Sequence, residues 1–265
     1  MYFGILGPLE VRVGGGPLRL DGHRQRVVLT ALLTAPNDVV PEERLIDWLW
    51  FEHAPRSAHA VVQAHVSRLR RALEPDRPPW AASRVLLRRH RGYLLRVEPD
   101  QLDALRFEQL VAKGRLAMER ADPGAAAEAL AGGLALWRGS ALADVACVDA
   151  AQPAIARLES LRLSAIALRI DADLALGRHV AVVPELQDLV RSYPLDERLC
   201  GQLMVALYRC RRQADALAAY ERIRDALASE LGIEPAPATQ RLQAAILAQD
   251  TRLDRPAVRR PEAPA

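Results

Sequence analysis

Cysteine is scarce in this chain, and its spacing does not fit a metal site. Its 265 residues include three cysteines, Cys147, Cys200 and Cys210. An odd number without a Cys-x-x-Cys or Cys/His pattern indicates neither a disulfide framework nor a zinc site. We therefore expect no metal, no cofactor, and three buried thiols in a reducing compartment.

Long apolar runs are also missing. The sequence contains no stretch of about 18 uncharged apolar residues, and its first residues lack a basic segment followed by an apolar one. Half of the residues are nevertheless apolar, which is enough to build cores without disulfides. These features predict a soluble protein of the cytoplasm, located at the nucleoid if it binds DNA, and no membrane partner.

The known catalytic motifs are absent as well. The sequence has no nucleophile elbow and no carboxylate–histidine metal spacing. Gly14-Gly15-Gly16 follows a strand-like segment but lacks the Lys-Ser/Thr of a phosphate-binding loop, so it is predicted to be a turn. We therefore predict no catalytic residues and a protein that is not an enzyme.

Lysine is nearly absent, since Lys113 is the only one, and arginine supplies the positive charge. Residues 1–99 carry 15 basic and 10 acidic residues, a net of 15 − 10 = +5, whereas residues 100–265 give 21 − 23 = −2. This asymmetry indicates a nucleic-acid-binding part joined to a part with another role. The preference for arginine could serve phosphate recognition or could reflect a GC-rich coding background.

Within the basic part, residues 56–96 carry ten arginines and two acidic residues. The segment 56–73 has a helical pattern that places Val62, Val66, Leu69 and Leu73 on one buried stripe. The opposite face combines small residues with arginines: Ser57, Ala60, Val61, Ala64, Ser67, Arg68 and Arg71. Such a face lets a helix backbone lie close to base edges in a major groove. The alternative is that Arg68 and Arg71 are solvated surface charges.

The order of elements around this helix predicts a winged helix-turn-helix. The patterns in sequence are a strand meander over 1–20, a helix over 25–35, a helix opening at Pro41, the helix over 56–73, and a hairpin formed by 84–89 and 93–97. Strands, three helices and a basic hairpin are typical of this fold, with the third helix as reader and the hairpin as wing. Trp48 and Trp50 are expected in the core, because duplex DNA offers no unstacked base. His59 and His65 are expected to be packing or backbone-contact residues rather than ligands, and Arg70 is expected to be structural.

From about residue 103 the sequence becomes almost continuous helix. A shift of 34 residues superposes Arg178 on Arg212 and Leu186 on Tyr220, with a weaker third copy near residues 129–136. This period is that of tetratricopeptide helical hairpins, which stack into a solenoid. An ordinary helical bundle remains the alternative. Residues 250–265 mix proline, arginine and alanine and are predicted to be a disordered tail.

Several motifs carry a resemblance to a known family. In the N-terminal part they are Phe3–Val11, Arg24-Gln25-Arg26, Arg44–Trp50, Val66–Leu73 and Gly92–Leu95. In the second part they are Phe107–Leu110, Ala135–Gly139, Ala219–Arg222 and Glu230–Pro235. Together they resemble the OmpR-type winged helix and the bacterial transcriptional activation domain of the Streptomyces antibiotic regulatory proteins, over residues 2–249.

The resemblance implies an α+β winged-helix DNA-binding domain over 1–99 and an all-α, tetratricopeptide-like activation domain over 100–249, predominantly α overall. It implies a sequence-specific activator of one secondary-metabolite (antibiotic) gene cluster, which binds direct repeats near the −35 region as a homodimer, at least on DNA. Its partners would be double-stranded promoter DNA and RNA polymerase holoenzyme. This sequence does not include the ATPase module of larger members, so the resemblance does not imply nucleotide-controlled switching; the chain could also be a fragment of such a larger regulator. The alternative class is a helical-repeat scaffold whose winged domain is not a sequence-specific DNA reader.

The same resemblance implies the site residues. The reader helix would enter the major groove, and the wing would meet the adjacent backbone or minor groove. The loop Phe51, Glu52, His53 and Ala54 would contact polymerase. The DNA-binding set is Arg56, Ser57, Ala60, Val61, Gln63, Ala64, Ser67, Arg68 and Arg71 on the helix and Arg88, Arg89, Arg91 and Tyr93 in the hairpin.

Overall fold

The computed structural model describes residues 1–20, 22–51, 53–78 and 80–254. The chain forms two compact units. The first unit contains Met1–Leu110 and Gly132–Leu163, and the second contains Val111–Ala131 and the chain from Ser164 onward. Among the described residues no helix is long and apolar enough to cross a membrane.

The first unit begins with the predicted antiparallel meander. Its strands are β1 (Tyr2–Gly4), β2 (Glu10–Val13) and β3 (Gly16–Pro17), in that spatial order. Val13 pairs with Gly16, so Gly14 and Gly15 form a two-residue turn with φ values of 61° and 85°. Positive φ at both turn positions favours glycine, which accounts for this part of the glycine run.

Three helices follow the meander, as predicted. They are α1 (His23–Leu33), α2 (Glu42–Trp50) and α3 (Ala58–Leu73). The apolar stripe of α3, Val62, Val66, Leu69 and Leu73, is fully buried. Trp48 of α2 is in the core as expected, whereas Trp50 is only half-buried and lies under the guanidinium of Arg24.

A second sheet contains the predicted hairpin and one strand that the sequence pattern did not indicate. The hairpin is β5 (Leu86–Arg89) and β6 (Gly92–Leu95), and the additional strand is β4 (Val39–Pro41). The order β4-β6-β5 makes β6 the central strand. A side chain on Gly92 would clash with the carbonyl oxygen of Val40, so the close pairing of β4 with β6 requires glycine there.

The N-terminal segment of the chain is completed by residues far along the sequence. Phe3 forms a parallel bridge with Leu102. Further on, the N–H groups of Arg138 and Leu142 donate to the carbonyl oxygens of Leu6 and Ile5, at 2.7 and 2.9 Å. These backbone bonds connect the N-terminal segment to residues 132–163, which belong to the same compact unit.

The remaining helices are α4 (Asp103–Glu119), α5 (Pro123–Leu134), α6 (Gln152–Ala175), α7 (His179–Ser192), α8 (Glu197–Arg209), α9 (Gln213–Leu231) and α10 (Pro237–Leu247). Helices α7 and α9 begin 213 − 179 = 34 residues apart, and α6 and α8 end 209 − 175 = 34 residues apart. The predicted repeat therefore corresponds to two consecutive helical hairpins. Buried Leu186 and Tyr220 occupy equivalent positions in them.

Three further expectations differ from the structure. Only Cys200 is buried, because Cys147 lies exposed in the loop before α6 and Cys210 is half-exposed at the end of α8. His59 is exposed, so of its two expected roles packing is wrong, whereas His65 is buried and packs as expected. Thr251–Asp254 form a 3-10 turn, whose Leu253 carbonyl accepts a bond from Arg209, so the predicted disordered tail is wrong for these residues. Residues 255–265 of that tail lie outside the described residues.

Candidate nucleic-acid interface

Helix α3 presents the polar face that the sequence predicts. Because its apolar stripe is buried, the opposite side is turned to solvent: Ser57, Ala60, Gln63, Ala64, Ser67, Arg68 and Arg71 are exposed, as is the preceding Arg56. Val61 is half-buried at the edge of this face. We call these nine residues the reader face. Its small side chains permit close approach of another molecule to the helix backbone.

Arg70 fixes α3 against the wing. Its Nε donates to the carbonyl oxygen of Leu86 at 2.9 Å. Burial lowers the pKa of Arg70, and the phenol of Tyr93 opposes that shift. The side chain therefore has the structural role expected from its place at the edge of the buried stripe.

His65 lies on the inner side of the same helix. It is buried, and burial lowers its pKa, with the positive charges of Arg68 and Arg24 lowering it further. The imidazole is consequently neutral near pH 7. His65 is a packing residue, as predicted, and does not belong to the reader face.

The wing ends in a short basic turn. His90 and Arg91 connect Arg89 to Gly92, and His90 has a φ of 46°. Arg89 and Arg91 are exposed. Arg88 is half-exposed, but its guanidinium is held on the protein by the Tyr93 hydroxyl at 2.6 Å and by Glu42 at 3.4 Å.

Tyr93 is the one predicted DNA-binding residue that the structure places in the core. It is 2% exposed, because β6 is the central strand of its sheet and its side chain lies under two arginines. Burial raises the pKa of Tyr93, and the Glu42 carboxylate raises it further. The assignment of Tyr93 as a direct DNA contact is therefore wrong. Its hydroxyl instead accepts a hydrogen bond from Arg88.

Glu42 is a site residue that the sequence analysis missed. It is the first residue of α2 and is 5% exposed. Its carboxylate lies 3.4 Å from His59 Nδ1, 3.3 Å from Gln63 Nε2 and 3.4 Å from Arg88 Nη2. A carboxylate in the first helical turn is ordinarily explained by the helix dipole alone, so nothing in the sequence pattern distinguished Glu42 from Glu43.

The loop after α2 has an exposed aromatic side chain. Phe51 is 55% exposed and has the backbone angles φ 53° and ψ −117°, which are unusual for a residue with a Cβ. His53 and Ala54 are also exposed. Glu52, the remaining residue predicted to contact polymerase, lies outside the described residues.

The described residues also include one exposed tryptophan, and they offer no metal site. Trp80, in the connection between α3 and the wing, is 87% exposed and was not singled out from the sequence. In the part of the chain that the structure describes, no group of three His, Cys, Asp or Glu residues could hold a metal ion.

Both parts of the chain match models of known protein families. Residues 17–95 match the family model described as "Transcriptional regulatory protein, C terminal", and residues 102–247 match the "Bacterial transcriptional activator domain". The fold and these matches define a DNA-binding transcriptional activator of the winged-helix class.

Two similar proteins narrow this class of transcriptional activator to one family. The chain is 37% identical to the regulatory protein DnrI of Streptomyces peucetius, covering 100% of this chain and 97% of that protein. It is 38% identical to the transcriptional regulator RedD of Streptomyces coelicolor, covering 98% of this chain and 75% of that protein. The chain belongs to the Streptomyces antibiotic regulatory protein family.

A solved structure has the same fold. EmbR of Mycobacterium tuberculosis, in complex with a low-affinity phosphopeptide, matches with a TM-score of 0.88 and 34% sequence identity. The match covers 94% of this chain and 65% of that one. The winged helix followed by helical hairpins is therefore confirmed by an independent structure.

Proposed function

We propose that this activator reads promoter DNA by inserting the reader face of α3 into the major groove. The observation that carries the proposal is the composition of that face: small residues in the middle and arginines at its ends, above a fully buried stripe. A helix needs small side chains to approach base edges and cations to meet the phosphates beside them.

The charges of this surface are available for phosphates. Among the described residues, Arg68, Arg71, Arg89 and Arg91 are exposed and have no acidic partner within ion-pair distance. Releasing counterions from DNA requires such uncommitted cations. We assign Arg89 and Arg91 of the wing to the sugar–phosphate backbone and Arg68 to a base edge.

We assign recruitment of RNA polymerase holoenzyme to the loop that contains Phe51, His53 and Ala54, supported by the exposed side chain and the unusual backbone angles of Phe51. Strained conformations persist where the surrounding structure holds them, and they concentrate at functional sites. The helical hairpins contribute a second surface for the same task, because stacked hairpins offer extended surfaces to protein partners.

Two copies of the chain bind direct repeats near the −35 region, head to tail on one face of the duplex. The regulated genes form a secondary-metabolite cluster, as the family resemblance implies. Direct repeats read from one face must be spaced by whole helical turns, about 10–10.5 bp or multiples of it.

The experiment that tests this function begins with in vitro selection of duplexes from a randomised library by the full-length protein. Two copies of one motif in the same orientation should be recovered. Insertion of about 5 bp between them, half a helical turn, should abolish tight binding, whereas insertion of about 10 bp should restore part of it. Recovery of no preferred sequence would contradict the proposed function, and tolerance of the half-turn insertion would contradict the arrangement alone.

A further inference from the structure

Glu42 connects three elements of the DNA-binding part of the chain. It begins α2, and its carboxylate accepts from Gln63 on α3 at 3.3 Å and from Arg88 on the wing at 3.4 Å. The backbone N–H of Glu42 donates to the carbonyl oxygen of Arg91 at 3.0 Å. One residue therefore contacts both the reader helix and the wing.

A buried carboxylate is costly unless its partners neutralise it. At 5% exposure, Glu42 obtains that compensation from Arg88 and Gln63, with His59 Nδ1 at 3.4 Å. All three partners lie on α3 or on the wing, the two elements proposed to contact DNA, and none lies on α2 itself. Packing of α2 is supplied by Leu45, Ile46 and Trp48, so the carboxylate is not needed for it.

We propose that Glu42 is a positioning residue that contributes to sequence preference by fixing how Gln63 and Arg88 face the DNA. This inference rests on the proposed function, since it concerns the same surface. Glu42 itself does not touch the duplex, because its side chain is covered by the residues that it orients.

The chemistry of the carboxylate determines the orientation of Gln63. An ionised carboxylate only accepts hydrogen bonds, so the NH2 group of the Gln63 amide must face it. The carbonyl oxygen and the second N–H of that amide are then left for a partner outside the protein. A glutamine amide held in one orientation can distinguish adenine from other bases in the major groove.

Arg88 is restrained in the same way. One terminal nitrogen donates to the Tyr93 hydroxyl and the other lies against Glu42, so the guanidinium is held at both ends. A side chain restrained in this way loses less freedom on binding than a free arginine. The buried Tyr93 thus acts on DNA through Arg88.

The substitution Glu42→Gln removes this control with little change of shape. Its amide carries both a donor and an acceptor, so the amide of Gln63 can turn over and Arg88 loses its anionic partner. Glu43→Gln is the matched control, because Glu43 is the next residue of the same helical turn and is exposed. Both variants remove one negative charge from the same end of α2.

The test measures binding to two duplexes: one selected by the wild-type protein from a randomised library, and one of the same composition in scrambled order. For Glu42→Gln, the ratio of the two affinities should fall about tenfold, the discrimination of one base-directed side chain. For Glu43→Gln, the ratio should stay within about twofold. When Gln63 has already been replaced by alanine, adding Glu42→Gln should lower the ratio of the two affinities by at most about threefold more, because the Gln63 amide that Glu42 mainly orients is then absent.

Several outcomes would overturn the inference. An unchanged ratio in a folded Glu42→Gln variant would do so, as would equal losses in Glu42→Gln and Glu43→Gln. If Glu42→Gln fails to fold, Gln63→Ala and Arg88→Ala decide, since an unchanged ratio in both variants leaves no side chain for Glu42 to orient. Failure of the wild-type protein to select any sequence would instead contradict the proposed function.

Discussion

The carboxylate of Asp103 accepts a hydrogen bond of 2.8 Å from the backbone N–H of Ile5, a residue 98 positions earlier in the chain. The same carboxylate accepts from the N–H of Leu6 at 3.0 Å and from Arg138 at 3.1 Å. Asp103 is completely buried. It therefore satisfies the backbone of the N-terminal segment from the first residue of α4.

This contact means that the packing of the N-terminal segment depends on residues that follow position 99. The predicted domain boundary at residue 99 stays a prediction about which residues bind DNA. The compact unit of the structure extends further, to Leu110 and again over Gly132–Leu163. A fragment that ends at residue 99 would leave the N–H groups of Ile5 and Leu6 without their carboxylate.

We expect Asp103→Ala to lower the free energy of unfolding by about 3 kcal/mol, because it leaves two buried N–H groups without their acceptor and removes one of the partners of the Arg138 guanidinium. Asp100→Ala is the control: Asp100 is exposed three residues earlier, and its loss should change stability by less than about 0.5 kcal/mol. Chemical denaturation of the full-length chain measures both. Equal effects would show that Asp103 does not support the N-terminal segment.

The stability of the first compact unit should also depend on the titration of Asp103. Burial raises the pKa of Asp103, and the N–H groups of Ile5 and Leu6 and the Arg138 guanidinium oppose that shift. A raised pKa means that the folded state binds the proton more tightly than the unfolded state. The stability that protonated Asp103 contributes is fully present below the pKa of this carboxyl in the unfolded chain, about 3.9. It is lost as pH rises through the pKa of Asp103 in the folded protein.

Wild type should therefore gain stability relative to Asp103→Asn as pH falls from neutrality towards about 4, since asparagine does not titrate. Denaturation of both proteins at a series of pH values gives this difference directly. If the difference in stability between the two proteins shrinks as pH falls, the hydrogen bonds and Arg138 lower the pKa of Asp103 by more than burial raises it.

Two adjacent glycines in α5 should respond in opposite ways to a larger side chain. A Cβ at Gly133 would lie 3.2 Å from the ring of Phe107 and 3.3 Å from Leu110, whereas nothing lies within 4 Å of one at Gly132. We expect Gly132→Ala to stabilise the protein by about 0.5–1 kcal/mol through helix propensity. Gly133→Leu should destabilise it by about 1–3 kcal/mol through overpacking. Thermal unfolding distinguishes the two, and stabilisation by both would refute the close packing of α5 on Phe107.

Most of the fold could be predicted because its signals are local. The buried stripe of α3 follows helical periodicity, the wing is two apolar runs around a short turn, and the repeat follows a fixed shift of 34 residues. Within the weaker third copy near residues 129–136, Gly133 has no side chain to fill a core position. In the structure the ring of Phe107 occupies that space, and Trp137 packs edge-on against it at 5.4 Å.

The features that could not be predicted depend on pairing between distant segments. Strand β4 is three residues long and exists because it pairs with β6, more than fifty positions later. That pairing makes β6 the central strand and buries Tyr93, which the family resemblance had assigned to DNA. It also brings Glu42 against the wing, so the role of Glu42 follows from the same long-range contact.

The loop at Phe51 should affect activation without affecting DNA binding. Phe51→Gly removes the exposed ring and relieves the unusual backbone angles, so stability should change by less than about 1 kcal/mol. Transcription from a promoter carrying the selected repeats should fall severalfold in a reconstituted assay. Affinity for the same duplex is the internal control and should stay within about twofold. Full activation by the variant would remove Phe51 from the polymerase contact.

The central claim is that α3 reads bases while the wing holds the backbone, and salt dependence separates the two roles. Arg91 lies at the tip of the wing, so Arg91→Ala should weaken binding to selected and scrambled duplexes alike and reduce the log–log salt slope by about 0.9. Arg68 is exposed on a rigid helix between small residues. Arg68→Ala should cost about 1–3 kcal/mol on the selected duplex and much less on the scrambled one.

The decisive measurement is the affinity of the Arg68→Ala protein for the selected and the scrambled duplex at several salt concentrations. The account predicts a loss confined mainly to the selected sequence, with the difference between the duplexes persisting as salt rises. Equal losses on both duplexes, or no loss on either, would contradict the assignment of α3 as the helix that reads the sequence.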